Sequence, residues 1–132
     1  MNIKSSQVLV EEANKQIKTI DANEVKELLE KDEITLIDIR DIRELWKEGT
    51  LKDAIHIPRG MLEFWLDPES SYFKEKKISE IKKMVLFCAL GMRSALATKS
   101  LQEMGFKNVS HVGGGFDSLK KNGCQVVVKE RK

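Results

Sequence analysis

The first segment of the chain is polar, broken by apolar residues at helical spacing. Val8, Leu9, Ala13 and Ile17 can share one face of an amphipathic helix over Ser6–Ile17. Asp21 stands three residues before Glu24, the spacing of a reciprocal helix-start box, and predicts a second short helix to about Glu30. The period then changes. Ile34–Ile39 reads Ile-Thr-Leu-Ile-Asp-Ile, short and rich in β-branched residues, and predicts a strand. Arg43–Glu48 predicts a short helix ended by Gly49, and Ala54–Ile57 a strand stopped by Pro58. A helical stretch over Met61–Leu66 gives way to a polar loop from Asp67-Pro68; Ile78–Lys82 is too short to assign. Met84–Phe87 predicts an apolar strand, and Met92–Met104 a helix with Gly105 as its stop signal. Val109–Val112 predicts a strand, Gly113-Gly114-Gly115 a turn, and Phe116–Lys121 a last helix before Gly123.

Short apolar strands that alternate with helices imply a mostly parallel sheet covered on both faces. Ligands on such sheets gather at the carboxyl ends of the strands. Cys88 follows one of those ends directly.

Composition narrows the class. The 132 residues suit one domain, large enough to bury an apolar core without disulfides or metal. Hydrophobic residues make up 41% and charged residues 33%, a globular mixture and not a disordered one. The formal charge of +2 gives no reason to expect nucleic acid or an anionic membrane as partner. Two cysteines, with no Cys-x-x-Cys pair, make no disulfide framework, and with two scattered histidines they make a poor zinc site. Free thiols point to a reducing compartment. Met1–Gln16 holds no signal-like apolar run and no stretch is long enough to span a membrane, so a cytoplasmic location is expected.

The chemistry concentrates in Met84–Lys99. A cysteine ends a buried strand, a short loop with one glycine follows, and Arg93 and Ser94 open a helix. Backbone N–H groups of residues 89–93 have few carbonyl partners within reach and can turn inward as an anion-binding nest. The helix start adds unpaired donors and the positive end of its dipole, and Arg93 adds a full charge. A thiol at the centre of such a loop should ionise below the free value of about 8.5, and the thiolate is the nucleophile. Alone, a cysteine at a strand end reads equally as a small buried hydrophobe; the loop and arginine around it favour chemistry.

Cys-Ala-Leu-Gly-Met-Arg-Ser (residues 88–94) resembles the active-site loop of the rhodanese family, Cys-x-x-Gly-x-Arg/Ser. Leu36-Ile37-Asp38-Ile39-Arg40 resembles the family's Leu-Ile-Asp-Val-Arg strand end. Glu44, Gly49 and Ala54-Ile55-His56-Ile57-Pro58 fall on its Glu…Gly-His-Ile-x-x-Ala-x-x-Ile-Pro stretch, and Gly114-Gly115-Phe116 with Gly123 on its closing segment. The likeness covers about residues 20–126 in three ordered blocks. Four positions depart from it: Thr50 stands for a frequent His, Asp53 for Gly, Leu119 for Trp and Gln125 for Pro.

The resemblance implies an α/β, three-layer rhodanese-like fold with a central, mostly parallel five-stranded sheet and helices on both faces. It divides the chain into an N-terminal helical extension (1–19), a rhodanese-like domain (20–128) and a charged tail (129–132). It also implies a sulfurtransferase that needs no metal or organic cofactor. Cys88 takes sulfane sulfur from thiosulfate or a low-molecular-weight persulfide and passes it to a thiol acceptor, small or on a partner protein. Ala89, Leu90, Gly91, Met92 and Arg93 form the loop that binds substrate, and Asp38, Arg40 and Arg59 support it. Two alternatives remain open, a non-catalytic binding module and a phosphatase or arsenate reductase of the same fold. The loop from Cys88 to Arg93 is one residue shorter than the Cys-x5-Arg of those phosphate and arsenate enzymes, which suits a single terminal sulfur better than three phosphate oxygens. Arg93 is the loop's one cation, so weak turnover of dianionic thiosulfate is expected, with a persulfide as the better donor.

Other residues carry two readings each. Asp38 and Arg40 read as buried polar contacts that hold the fold. Arg59 is either a pocket cation or a solvated one. Phe64 and Trp65 read as core rather than pocket wall. His56, inside an apolar strand, reads as structural rather than as a partner of Cys88. Cys124 reads as an unremarkable thiol rather than a resolving one.

Overall fold

The computed structural model describes residues 2–73 and 83–131; Ile78–Lys82 lies outside them. Ser5 caps helix α1 (Ser6–Gln16), its hydroxyl accepting the Val8 N–H at 3.1 Å. Strand β1 (Thr19–Ile20) precedes α2 (Ala22–Glu30), which Asp21 caps through the Glu24 N–H at 2.8 Å. Then come β2 (Ile34–Asp38), α3 (Ile42–Glu48), β3 (Thr50–Leu51), β4 (Ile55–His56), a 3-10 turn (Arg59–Met61) and α4 (Leu62–Leu66). The last third holds β5 (Lys83–Phe87), α5 (Met92–Met104), β6 (Val109–Val112), α6 (Gly115–Lys121) and β7 (Val126–Val127).

Five strands form one parallel sheet in the order β1-β6-β5-β2-β4, and β3 pairs β7 antiparallel beside it. The α/β three-layer expectation holds, and its fifth strand is the two-residue β1. Side chains alternate across the sheet. Leu36, Val85 and Phe87 point to one face, where Val25 of α2 and Phe116 and Leu119 of α6 cover them. Ile37, Leu86 and Cys88 point to the other, under Leu62 and Leu66 of α4 and Ala97 and Leu101 of α5.

Helix α1 packs on α5. Its buried stripe is Ala13, flanked by half-buried Val10 and Ile17, while Val8 and Leu9 are exposed. The apolar face expected from Val8, Leu9, Ala13 and Ile17 is thus rotated. The helix meets its neighbour along one narrow edge, where the small Ala13 allows close approach. Among the described residues no helix is long and apolar enough to cross a membrane.

Asp38 and Arg40 are fully buried and paired in two hydrogen bonds, Nε to Oδ1 at 3.0 Å and Nη2 to Oδ2 at 2.8 Å. The same Nη2 donates to the Gly49 carbonyl at 2.8 Å, Thr50 donates to Asp38 Oδ2 at 2.7 Å, and the guanidinium lies 4.1 Å from the centre of the Phe116 ring. The pair therefore ties β2 to the α3–β3 corner and to α6. Buried charges persist only when so compensated, and removing one partner typically costs about 3–5 kcal/mol.

Candidate active site

Central strand β5 carries apolar residues on both faces because it is covered on both, and it delivers Cys88 to its carboxyl end at 1% exposure. The chain then turns back within three residues. Gly91 takes φ +107°, a left-handed conformation that an L side chain would strain, and becomes the N-cap of α5. That turn aims two N–H groups at the sulfur: Gly91 N donates to Cys88 Sγ at 3.1 Å and Ser94 N at 3.3 Å. The nest expected over residues 89–93 thus draws one of its two donors from just beyond that range.

The glycine turn after β6 does more than start a helix. Gly115, at φ +57°, lies against the cysteine loop so closely that a Cβ there would meet the Cys88 carbonyl oxygen at 2.5 Å. Phe116 N donates to that carbonyl at 2.8 Å, and Asp117 N to the Ala89 carbonyl at 3.3 Å. The start of α6 therefore clamps the backbone that carries the thiol.

Arg93 commits its guanidinium to a carboxylate. It forms a two-pronged pair with Glu44 of α3, at 2.7 and 3.0 Å, with its side chain 41% exposed. That bond holds the Glu44 carboxyl below the usual carboxylate range and the Arg93 guanidinium above its own. Arg59 is committed likewise: it pairs with Glu63 at 2.8 Å, and Ser100 donates to the same carboxylate at 2.6 Å. Leu90 and Met92 of the loop are exposed and apolar.

The remaining residues separate clearly. His56 Nε2 lies 2.8 Å from the Arg40 carbonyl, a structural position on the end strand β4 beside β2. Trp65 packs on the core layer that holds Cys88, but Phe64 is 51% exposed and meets Tyr72 edge-on, a correction to its expected core place. The short α4 turns Leu62 and Leu66 inward, which leaves the position between them outside. Cys124 lies in the opposite core layer from Cys88, and both thiols are free.

Sequence reasoning passed over His111. It sits on β6 at 2% exposure, its Nδ1 2.8 Å from the Ser94 hydroxyl, which in turn lies 3.5 Å from Cys88 Sγ. Burial pushes it down to about 4. A polar residue pointing to the covered face of an interior strand was the available signal.

A sequence model of the rhodanese-like domain matches residues 21–122. The chain is 38% identical over 100 residues to a putative sulfurtransferase, YtwF, of Bacillus subtilis, covering 75% of this chain and 87% of that one. It is 37% identical over 95 residues to a tRNA uridine(34) hydroxylase of Hamiltonella defensa, covering 72% of this chain but only 26% of that protein. A mouse thiosulfate sulfurtransferase/rhodanese-like domain-containing protein 3 is 32% identical over 103 residues, covering 75% of this chain and 66% of the mouse protein. Among solved structures, a protein of unknown function from Rhodopseudomonas palustris, described as a possible tyrosine phosphatase, superposes with TM-score 0.89 at 37% identity, covering 96% of this chain and 97% of that one. The polysulfide-sulfur transferase homodimer of Wolinella succinogenes superposes with TM-score 0.70 at 32% identity, covering 95% and 88%. With the matched region running from the start of α2 to the end of α6, this chain belongs to the rhodanese-like domain family.

Proposed function

We propose that the protein is a sulfurtransferase that carries sulfane sulfur on Cys88 as a persulfide. The observation that carries this reading is the pair of N–H groups, from Gly91 and Ser94, that converge on Cys88 Sγ at the end of β5. Donors fixed in place by the backbone stabilise negative charge on sulfur without reorganising when the charge forms. The cysteine is retained and its loop is held by α6, which favours catalysis over a binding module. The six-residue loop and the engagement of Arg93 with Glu44 count against a phosphate substrate, which would need that guanidinium free. The reaction uses no metal or organic cofactor, and we assign it to the cytoplasm, where thiols stay reduced.

The preferred donor is a low-molecular-weight thiol persulfide, and the acceptor a thiol, either small or on a partner protein. Thiosulfate is a dianion, and the Arg93–Glu44 pair presents it no net positive charge. Intact-protein mass after incubation with glutathione persulfide should rise by about 32 Da, one sulfur. Cyanide should reverse that gain, and Cys88→Ser should lack it. Thiosulfate should load the protein more slowly. No gain with either donor in folded, reduced protein overturns the reading in favour of a binding module. Glu44→Gln, which releases Arg93, should raise thiosulfate loading severalfold while leaving persulfide loading within about twofold.

A further inference from the structure

Cys88 must lose a proton to become a nucleophile, yet it is 1% exposed, and an incoming donor would fill what opening it has. The hydrogen bonds around it supply another way out. His111 Nε2 lies 3.2 Å from Asn14 Oδ1 of α1 and 3.0 Å from Thr19 Oγ1 of β1. An amide oxygen only accepts, so Nε2 carries the hydrogen and Nδ1 is bare. Nδ1, at 2.8 Å, is a nearer acceptor for the Ser94 O–H than the Gly91 carbonyl at 3.3 Å and takes that hydrogen. The hydroxyl's lone pairs are left to face Cys88 Sγ at 3.5 Å and accept its S–H. Every hydrogen in the chain points the same way, from the buried thiol to Asn14 and Thr19, both exposed.

We propose that Ser94 and His111 form a proton relay by which Cys88 reacts as a thiol, giving up its proton as it attacks. The inference rests on sulfur transfer at Cys88 for its biological meaning. As the Cys88 sulfur bonds to the outer sulfur of a persulfide R–S–S–H, its proton passes to Ser94 Oγ and the Ser94 proton to Nδ1. The donor's S–S bond breaks with its electron pair leaving on R–S⁻, which regains a proton along the same path. Cys88–SH and R–S–SH become Cys88–S–SH and R–SH, with no net oxidation. Nε2 can pass its own hydrogen to the surface as Nδ1 gains one, so the ring need not stay charged.

The elements packed on His111 present Asn14 from α1, Thr19 from β1, Leu86 from β5 and Ser94 from α5, none of them charged. The imidazole therefore stays neutral down to about pH 4, and because burial weakens it as a base it holds the proton only in passing. Ser94 touches the reacting sulfur; His111 acts through it as a positioning residue.

The test alkylates Cys88 with iodoacetamide across pH, in full-length chain carrying Cys124→Ser so that one thiol reports, and compares Ser94→Ala and His111→Gln. A thiol that reacts only as thiolate slows about tenfold per pH unit below its titration. The relay predicts a shallower fall in the parent. Each variant should be slower by about tenfold or more near pH 6 and within about twofold near pH 10, where hydroxide can take the proton directly. A deficit near pH 6 no more than about threefold larger than that near pH 10 would mean a structural role and overturns the relay. Ser94→Ala removes only a hydroxyl, so it decides the matter if His111→Gln does not fold. Iodoacetamide carries no sulfur, so this result stands apart from whether the protein takes up a persulfide.

Discussion

The two cysteines are both buried and both free, yet their surroundings differ. Cys88 ends a central strand on the sheet face under α5, and backbone N–H groups of Gly91 and Ser94 point at its sulfur. Cys124 lies in the other layer, under α2 and α6, and its own N–H is spent on the Leu119 carbonyl at 3.1 Å. Burial pushes its thiol up, against only a weak pull from Lys26. Burial works against ionising a thiol, and at Cys88 two backbone donors are aimed at the sulfur. The largest expected effect follows. Cys88→Ser should abolish sulfur loading, a loss of about a hundredfold or more, whereas Cys124→Ala should keep the loading rate within about twofold and lose about 1–2 kcal/mol of stability to the small cavity. Intact mass and urea unfolding measure the two sides, and equal loss of loading in both variants would break the comparison.

The difference can be sharpened at the clamp. Gly123, the left-handed glycine beside Cys124, makes no such close approach: a Cβ there would meet the end of the Lys26 side chain at 3.4 Å. Gly115→Ala would bring a Cβ to 2.5 Å from the Cys88 carbonyl and 2.7 Å from that of Ala89, at a φ of +57° that alanine resists. Such strain costs on the order of 1–3 kcal/mol, and relief must come from moving the loop. Sulfur loading should fall by about tenfold or more while the chain still folds. Loading at the parent rate would show that the loop tolerates displacement.

His111 sharpens the comparison through pH. The folded protein holds its ring neutral down to about 4, while the unfolded chain protonates it near the ordinary 6.5. Between those values the unfolded state binds more protons, so stability falls as pH falls. The contribution is whole above about pH 6.5 and is lost progressively toward pH 4, on the order of 2–3 kcal/mol in all. Urea midpoints should show this slope in the parent and not in His111→Gln. An identical slope in both would place the acid sensitivity elsewhere.

The site was legible where its chemistry is local and hidden where it is not. Cys88, the Gly91 turn and the start of α5 lie within a few residues, so spacing reveals them. Glu44 meets Arg93 across the fold, and periodicity says nothing of which carboxylate an arginine will find. His111 reaches Ser94 only because β6 lies beside β5 in the sheet, a neighbour relation no single segment encodes. The two-residue strands β1, β3 and β7 escaped for a similar reason: they are too short to show a period and exist only through their partners.

The smallest effect belongs to the Cys124 side. Asp53 departs from the glycine common in the resemblance, and its backbone sits at φ +64°, the region that favours glycine. It lines the same cleft as Cys124, Lys26 and Gln125, at the end of the sheet away from Cys88. An aspartate pays a modest strain in that conformation, because its Cβ crowds the following carbonyl. Replacing it removes the strain but frees the unfolded chain, and the two effects oppose each other. Relief should win here because the native φ is positive, so Asp53→Gly should stabilise the protein by about 0.5 kcal/mol in urea unfolding. Sulfur loading should not change, since Asp53 lines that cleft and not the loop, α6's clamp or the Ser94–His111 pair. A change in loading without a change in stability would mean that the two ends of the sheet communicate, and that the contrast between the cysteines is one of degree.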